Sequence, residues 1–318
     1  VAVFRFSAAL GVVAAGYITK LDWRWMFAIP IISVLFIPAL VKNLPDEHAK
    51  GAQIDGWGFT LIGAFAGAVT MFFTDMNLLW SVASIVTLVA FIVYINKAKD
   101  PFITPAFFKN PAFVATMVVI FVGYFFSYTL NAGVNAIGLD VFGLDSAQVS
   151  NLLVWSILLA AVLGFVCGPV VKKIGRSAAI IMALLTMGLG LIAVAFAIPH
   201  GSIAALAVAP CLYYYGTSFF YSPIVDTATL TVTPEESGRV LGANDLIQAI
   251  TGSVGVAIFG QMMSAGVMSG GSIAGTEAGA ASTYANVFLI GGVIVLSALV
   301  IFILTKKMIY SRSRKDGE

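Results

Sequence analysis

The chain has 318 residues, of which 60% are hydrophobic and only 10% are charged. Soluble domains carry about 25% charged residues, so this composition excludes a soluble enzyme, a disordered chain and a secreted disulfide scaffold. Mean hydropathy is +0.99, and a formal net charge of only +2 gives no reason to expect a nucleic acid partner.

Ten apolar runs, separated by charged residues or by glycine and proline, are each long enough to be a candidate membrane span. Because these runs are continuous rather than alternating, they favour helices over the strands of a β-barrel. The sequence therefore predicts an all-α polytopic membrane protein with about ten transmembrane helices. The predicted helices cover residues 1–19, 25–42, 56–74, 78–97, 112–136, 147–170, 177–198, 202–228, 237–264 and 283–305.

The distribution of lysine and arginine predicts which helix ends face the cytoplasm. With the C-terminus placed inside, 14 of the 17 basic residues fall in inside segments, and only Lys20 and Arg24 fall outside. Cytoplasmic loops are enriched in basic residues, so we expect a multi-pass protein of the plasma membrane with a cytoplasmic C-terminus. Arg5 lies within the first span, where we expect it to reach the inside surface rather than pair with an acid. The long outside loop, about 265–282, is rich in glycine and serine and is expected to be mobile.

Several segments together resemble the 14-helix drug/proton antiporter branch of the major facilitator superfamily, and in particular its tetracycline/proton antiporters. Residues 22–27 (Asp-Trp-Arg-Trp-Met-Phe) look like the segment between family helices five and six, and residues 54–58 look like the start of the extra central pair. Residues 100–110 resemble the entry to the C-terminal six-helix half. Residues 216–260 are similar in spacing to the block of helices ten and eleven. The resemblance implies a partial major facilitator fold.

The resemblance also implies that the chain is the C-terminal portion of such a transporter, lacking the first four helices. Residues 1–43 would be the last two helices of the N-terminal half, and residues 44–111 the central helix pair with its cytoplasmic connections. Residues 112–305 would be the C-terminal six-helix half, followed by a basic cytoplasmic tail at 306–318. Alternating access needs two facing halves, so the missing N-terminal helices are an expected partner.

Asp226 and Asp245 are the acidic residues that fall inside predicted spans. A charged residue at the centre of a span costs about 2.5–3.5 kcal/mol on insertion scales, so we expect both acids to face the bundle interior. Burial favours the protonated form of a carboxyl group, which suits a proton carrier. Asp245, with Asn244 beside it and Gln248 one turn on, is the stronger candidate for proton or substrate coupling. The competing interpretation for each acid is a structural, hydrogen-bonded carboxylate.

Aromatic and amide side chains cluster in the fifth and eighth predicted helices. Apolar and aromatic walls with a few amide groups suit a flat amphipathic drug, although such aromatics also simply pack or face lipid. The predicted substrate-cavity residues are Tyr124, Tyr128, Asn131, Tyr214 and Gln248.

Glycines of the first helix resemble a family motif. Gly11 and Gly16 match two positions of the antiporter motif G-P-x-x-G-G, in which Val12 replaces the proline. Small residues allow close helix approach, so the pair is either a gating contact between halves or a plain packing face. The GxxxG patterns at 63–67 and 238–242 predict close packing for the same reason.

The loop from Gly168 to Arg176 resembles the superfamily's cytoplasmic loop G-x-x-x-D-R-x-G-R, with Lys172 in place of the acid. The resemblance implies that its basic residues hold acidic groups or helix ends during gating. The competing interpretation is a basic loop that only sets topology. The gating candidates here are Gly168, Lys173, Gly175 and Arg176.

No phosphate loop, Walker lysine, zinc site or Ser-His-Asp set can be assembled from the sequence. We therefore expect no catalytic residues, cofactor or metal, and no enzymatic activity. The prediction is a secondary active transporter in the lipid membrane, which uses inward proton movement to expel amphipathic drugs. By resemblance, these are tetracycline-like compounds or lipophilic cations. The alternative is a transport-inactive fragment or subunit that needs a partner supplying the missing helices.

Overall fold

The computed structural model describes residues 2–19, 22, 24–25, 31, 34–43 and 55–313. These residues form α-helices, 3₁₀ turns such as that at Pro234–Glu236, and loops, and no strand occurs among them. The all-α prediction is therefore confirmed. The helices are α1 (Ala2–Ile18), α2 (Ile37–Asn43), α3 (Gly56–Asp75), α4 (Leu78–Lys97), α5 (Pro105–Phe108), α6 (Pro111–Tyr124), α7 (Ser127–Asp140), α8 (Ser146–Ile174), α9 (Arg176–Ala197), α10 (Ile203–Thr229), α11 (Ser237–Ser264) and α12 (Ala280–Ser313).

Eight helical segments in the described part of the chain are long and apolar enough to cross a membrane. They match the predicted spans from residue 56 onward, with α6 and α7 together forming one span. α1 is a shorter apolar helix. Within the predicted second span at 25–42, residues 26–30 and 32–33 lie outside the described residues, and α2 covers the end of that span. The side chain of Arg5, the connection 44–54 and the tail residues 314–318 also lie outside them.

Small residues bring α9 and α10 into direct backbone contact at the centre of the bundle. A Cβ atom at Gly190 would lie 2.4 Å from the backbone nitrogen of Tyr213, and one at Gly216 would lie 2.6 Å from the Ala183 carbonyl oxygen. Lipid tails are as apolar as leucine, so close van der Waals packing of this kind holds membrane helices together. The core is therefore built around α10, which also packs against α8.

The predicted helix 112–136 is broken in two at Phe125 and Phe126. The carbonyl oxygen of Phe125 faces α11, where a Cβ atom at Gly255 would lie only 2.1 Å from it. A break at membrane depth is tolerated where the freed backbone groups are buried in protein or line a cavity. Neither of the two residues at the break is proline or glycine, the usual causes of a kink, so neither of them predicts the break.

Two features of the C-terminal region could not be predicted from the sequence. Helix α12 continues to Ser313, so the described part of the predicted basic tail is helical. The loop that is predicted to lie outside is held by hydrogen bonds: the side-chain nitrogen of Asn286 donates to the carbonyl oxygens of Met268 and Gly271 at 2.8 and 2.9 Å. Backbone hydrogen bonds within the loop, such as that from Ser272 N–H to Thr276 O, add to this order.

Helices α3 and α4 form a separate antiparallel pair that packs on α11. Ile62, Phe91 and Ile95 make a small apolar cluster against Leu246 and Ile250. The predicted close packing through GxxxG is wrong within the described residues, because a Cβ atom at any glycine of either pattern would meet open space. The pair is held by larger apolar side chains instead.

The carboxylate of Asp55 joins the helix pair to the segment that leads into α6. It caps α3 at Gly58 N–H, and it accepts hydrogen bonds from Tyr94 Oη at 2.5 Å and from Phe102 N–H at 3.0 Å. Partial burial alone would raise the pKa of the Asp55 carboxyl, but these hydrogen bonds outweigh it and hold the pKa below its usual value. The ring of Phe102 stacks on Phe59 with centroids 4.6 Å apart, which fixes the same junction.

Helix α1 packs along α8 through Gly16. A Cβ atom at Gly16 would lie 2.1 Å from Ser150 Oγ and 2.9 Å from the Ser146 carbonyl oxygen. Next to this contact, the Asn151 amide donates to Tyr17 Oη at 3.1 Å. Gly11 differs, because a Cβ atom there would meet open space among the described residues. Close packing is therefore seen at one of the two predicted glycines.

We expect Gly16→Val to weaken the α1–α8 contact by about 1–3 kcal/mol, since the added side chain overlaps both a serine side chain and backbone. The matched control, Gly11→Val on the same helix, should change stability by less than about 0.5 kcal/mol. Thermal unfolding of the detergent-solubilised protein measures both. Equal losses in the two variants would contradict this packing.

Candidate coupling and substrate site

Asp245 lies on α11 and is exposed, so it does not turn into the core of the described helices. Its Oδ1 accepts hydrogen bonds from Tyr221 Oη of α10 at 3.2 Å and from Asn244 Nδ2 at 2.9 Å. The neighbouring Asn244 is buried, and its side-chain Oδ1 has no hydrogen-bond partner among the described residues. The carboxylate is thus reachable from outside the bundle while two donors hold it in place.

Asp226 is also exposed and lies in the last turn of α10. Its Oδ2 accepts from Arg176 Nε at 3.1 Å, with side-chain exposures of 58% and 46%. An ion pair this open stabilises a protein by no more than about 1 kcal/mol. Asp226 therefore does not turn into the core of the described helices, and it lies in a contact between helix ends.

The loop between α8 and α9 brings only part of the predicted gating set together. Arg176 holds an acid, as the family resemblance implies, and Gly175 adopts φ +86°, a conformation that side chains rarely allow. Lys173 is exposed and forms no ion pair with any described residue, and a Cβ atom at Gly168 would meet open space. Gly175 therefore shapes the turn, and Arg176 makes its contact.

The predicted cavity residues divide between the core and the surface of α7, α10 and α11. Tyr214 Oη donates to Asn131 Oδ1 at 2.5 Å, which links α10 to the half-buried amide of α7. The ring of Tyr128 lies over Gly252 of α11, where a Cβ atom would be 2.3 Å from it. Tyr124 is only 1% exposed and packs against Phe220 in the core, so it is removed from the predicted cavity lining.

Tyr128, Asn131 and Gln248 are partly or fully exposed, and together with Tyr221 and Asp245 we call them the polar face. Tyr214 is only 3% exposed and belongs to the core, from which its hydroxyl reaches Asn131. On α11, Asp245 and Gln248 are one turn apart, so they lie on one side of that helix. The contacts between Tyr221 and Asp245 and between Tyr214 and Asn131 join the helices. The polar face combines a carboxylate, two phenols and two amides.

Such a surface can take up a proton and can hydrogen-bond an amphipathic molecule. Its groups are weak metal ligands as a set, and no cluster of three or more His, Cys, Asp or Glu residues occurs in the part of the chain described. Two residues of this site were not predicted from the sequence: Tyr221, which donates to Asp245, and Gly252, against which the ring of Tyr128 packs. Neither position carried a signal, because both contacts join different helices.

The amino-acid sequence of the chain matches the family model of the Major Facilitator Superfamily over residues 1–256. The chain belongs to this superfamily. The multidrug transporter protein MdtP of Bacillus subtilis (strain 168) is 21% identical, and the match covers 83% of this chain and 51% of that protein. The quinolone resistance protein NorB of Staphylococcus aureus (strain MRSA252) is 24% identical over 76% of this chain and 55% of that protein.

A solved POT family transporter shares the fold of this chain with a TM-score of 0.51 at 12% identity. That match covers 90% of this chain and 54% of the other. The chain spans about half the length of the curated relatives it matches. The predicted superfamily is confirmed, and the chain is a multi-pass membrane protein related to multidrug transporters.

Proposed function

We propose that this major facilitator chain is the C-terminal portion of a proton-coupled drug exporter, with coupling at the polar face. One observation carries the proposal: a carboxylate, Asp245, lies on a membrane-crossing helix and is held by Tyr221 and Asn244. Intramembrane acids of this kind mark proton and substrate pathways. The relatives named as multidrug and quinolone resistance proteins support the transported class.

Proton uptake at Asp245 changes the hydrogen bonding around it. The ionised carboxylate only accepts, which matches the two donors that face it, whereas a protonated carboxyl also donates. Loading a proton therefore removes a charge from the polar face and weakens the bond from Tyr221 Oη. Since Tyr221 belongs to α10 and Asp245 to α11, the proton changes how two helices are joined, and this supports a coupling role.

The same face supports a substrate that is aromatic and cationic. The exposed ring of Tyr128 offers a π surface for a cation, and the amides of Asn131 and Gln248 offer hydrogen bonds. The negative charge of Asp245 favours lipophilic cations over neutral compounds, with tetracycline-like molecules as the second class. A proton and a cationic drug would then compete for one carboxylate, and this competition would couple the export of drug to the uptake of protons.

We also propose that the chain belongs to the 14-helix branch and that the complete transporter has four further N-terminal helices. The packed pair α3–α4, which precedes the six C-terminal spans, supports the extra central pair of that branch. The exposed polar face supports a facing N-terminal half as partner. We further propose the plasma membrane as location, with the C-terminus in the cytoplasm, because of the bias in basic residues.

Drug accumulation in drug-sensitive bacteria tests this function. Cells that express the complete reading frame should hold severalfold less of a fluorescent lipophilic cation than cells without it, and a protonophore should abolish the difference. The chain from Val1 alone should give no export, as expected for a fragment that needs its partner half. Export that survives the protonophore would contradict proton coupling, and no export from the complete frame would favour the transport-inactive alternative.

A further inference from the structure

A cavity of about 540 Å³ lies between the turn that joins α8 to α9 and the end of α12, and it shares no lining residue with the polar face. Its polar lining comes from Arg176, Ser177, Lys306 and Tyr310. Lys306 and Tyr310 also line a second, adjoining cavity of about 410 Å³. The larger cavity falls in the size range of ligand sites, about 300–1,000 Å³.

The charge of this cavity is not balanced by the chain. Arg176 Nε donates a hydrogen bond to Asp226 Oδ2, and the two terminal nitrogens of Arg176 have no partner among the described residues. Lys306 is half-buried, and no described carboxylate pairs with it. A partly buried ammonium group is disfavoured unless it is paired. The carboxylate of Asp226 therefore balances only one of the two positive charges, those of Arg176 and Lys306, and the site favours an anion.

The position of the cavity indicates the source of that anion. It lies where α8 ends at Ile174, where α9 begins at Arg176 and where α12 becomes basic, which is the level of helix ends and lipid headgroups. The sequence predicts that this side faces the cytoplasm, where the leaflet is rich in anionic lipid. Ile181, further along α9, adds an apolar wall that suits an acyl chain and offers nothing to a soluble phosphate.

We propose that this cavity binds the phosphate of an anionic phospholipid from the cytoplasmic leaflet. The terminal nitrogens of Arg176 and the ammonium of Lys306 hold the phosphate, and Ile181 contacts the acyl chain. Tyr310 ties the site to α10, because its hydroxyl is 3.0 Å from Thr227 Oγ1. The bound lipid joins the ends of α9, α10 and α12. This site stands independently of the coupling chemistry at Asp245.

Lipid binding to the purified, complete protein tests the site. Native mass spectrometry compares phosphatidylglycerol with phosphatidylcholine of the same chains, in the wild type and in Lys306→Gln. Loss of one lysine near an anionic headgroup should weaken phosphatidylglycerol binding about fivefold and leave phosphatidylcholine binding unchanged. The conservative variant Lys306→Arg should restore binding, which shows that a loss is not caused by misfolding.

Lys109→Gln is the matched control, because Lys109 is an exposed lysine outside the cavity, on the same predicted side of the membrane. It should bind phosphatidylglycerol as the wild type does. Equal binding by Lys306→Gln and the wild type would overturn the proposal, as would an equal loss in both variants. Displacement of the lipid by soluble glycerol phosphate at equal concentration would also overturn it, since the site would then select free phosphate.

Discussion

Replacing Asp245 with asparagine should lower proton-driven drug export about a hundredfold or more, the order of effect expected when a positioned proton-transfer group is removed. Asparagine has the same shape and keeps an oxygen that can accept from Tyr221 Oη, but it cannot take up a proton. The fold should survive, because the Asp245 side chain is exposed and fills no core position. Efflux of a fluorescent cation from loaded cells, at matched protein amounts, measures the effect.

Asp226→Asn is the matched control for that variant. It also removes one carboxylate from a membrane-crossing helix, but at an exposed ion pair with Arg176. Because such pairs contribute no more than about 1 kcal/mol, export should fall by less than about fivefold. Full export by Asp245→Asn would disprove the coupling role, and an equal loss in the Asp226 variant would move that role to the helix ends.

The largest structural effect should come from Gly255→Val. The new Cβ atom would lie 2.1 Å from the Phe125 carbonyl oxygen, which is backbone at the break between α6 and α7 and has no rotamer to escape into. Overpacking of a tight contact costs about 1–3 kcal/mol and occasionally more, and we expect the upper end here. The yield of folded protein and its thermal unfolding should both fall.

Gly260→Val provides the comparison on the same helix, since a Cβ atom there meets open space. Its stability should stay within about 0.5 kcal/mol of the wild type. If Gly255→Val were as stable as Gly260→Val, the close approach of α11 to the helix break would be wrong. The break itself would then lose its structural explanation.

The helices could be predicted from the sequence because both their cores and their ends are local features. The apolar runs are continuous, and the start of α8 carries a capping box in which Asp145 and Gln148 bond each other's backbone N–H groups. At the start of α4, the Asn77 side chain caps the helix by accepting a hydrogen bond from Leu79 N–H. The break at Phe125 could not be predicted, since it depends on a glycine of another helix more than a hundred residues away.

The site could be predicted only in part. Asp245 stood out because acids are rare inside spans, but its orientation did not, since the polar and apolar residues of α11 do not separate into two clear faces. Its partner Tyr221 lies on the preceding helix, and the sequence offered several tyrosines of equal merit. The sequence could not distinguish Gly16, which packs on α8, from Gly11, which does not. Spacing shows that a helix has a face of small residues, but it does not show which neighbouring helix packs against that face.

Proton movement in vesicles tests the central claim, that drug export is coupled to protons through Asp245, most directly. The complete protein is reconstituted, a lipophilic cation is added on one side, and the pH inside is followed with a trapped dye. We predict that protons leave as the drug enters, and that this exchange disappears in Asp245→Asn. Drug entry without proton movement, or an unchanged exchange in the variant, would contradict the account.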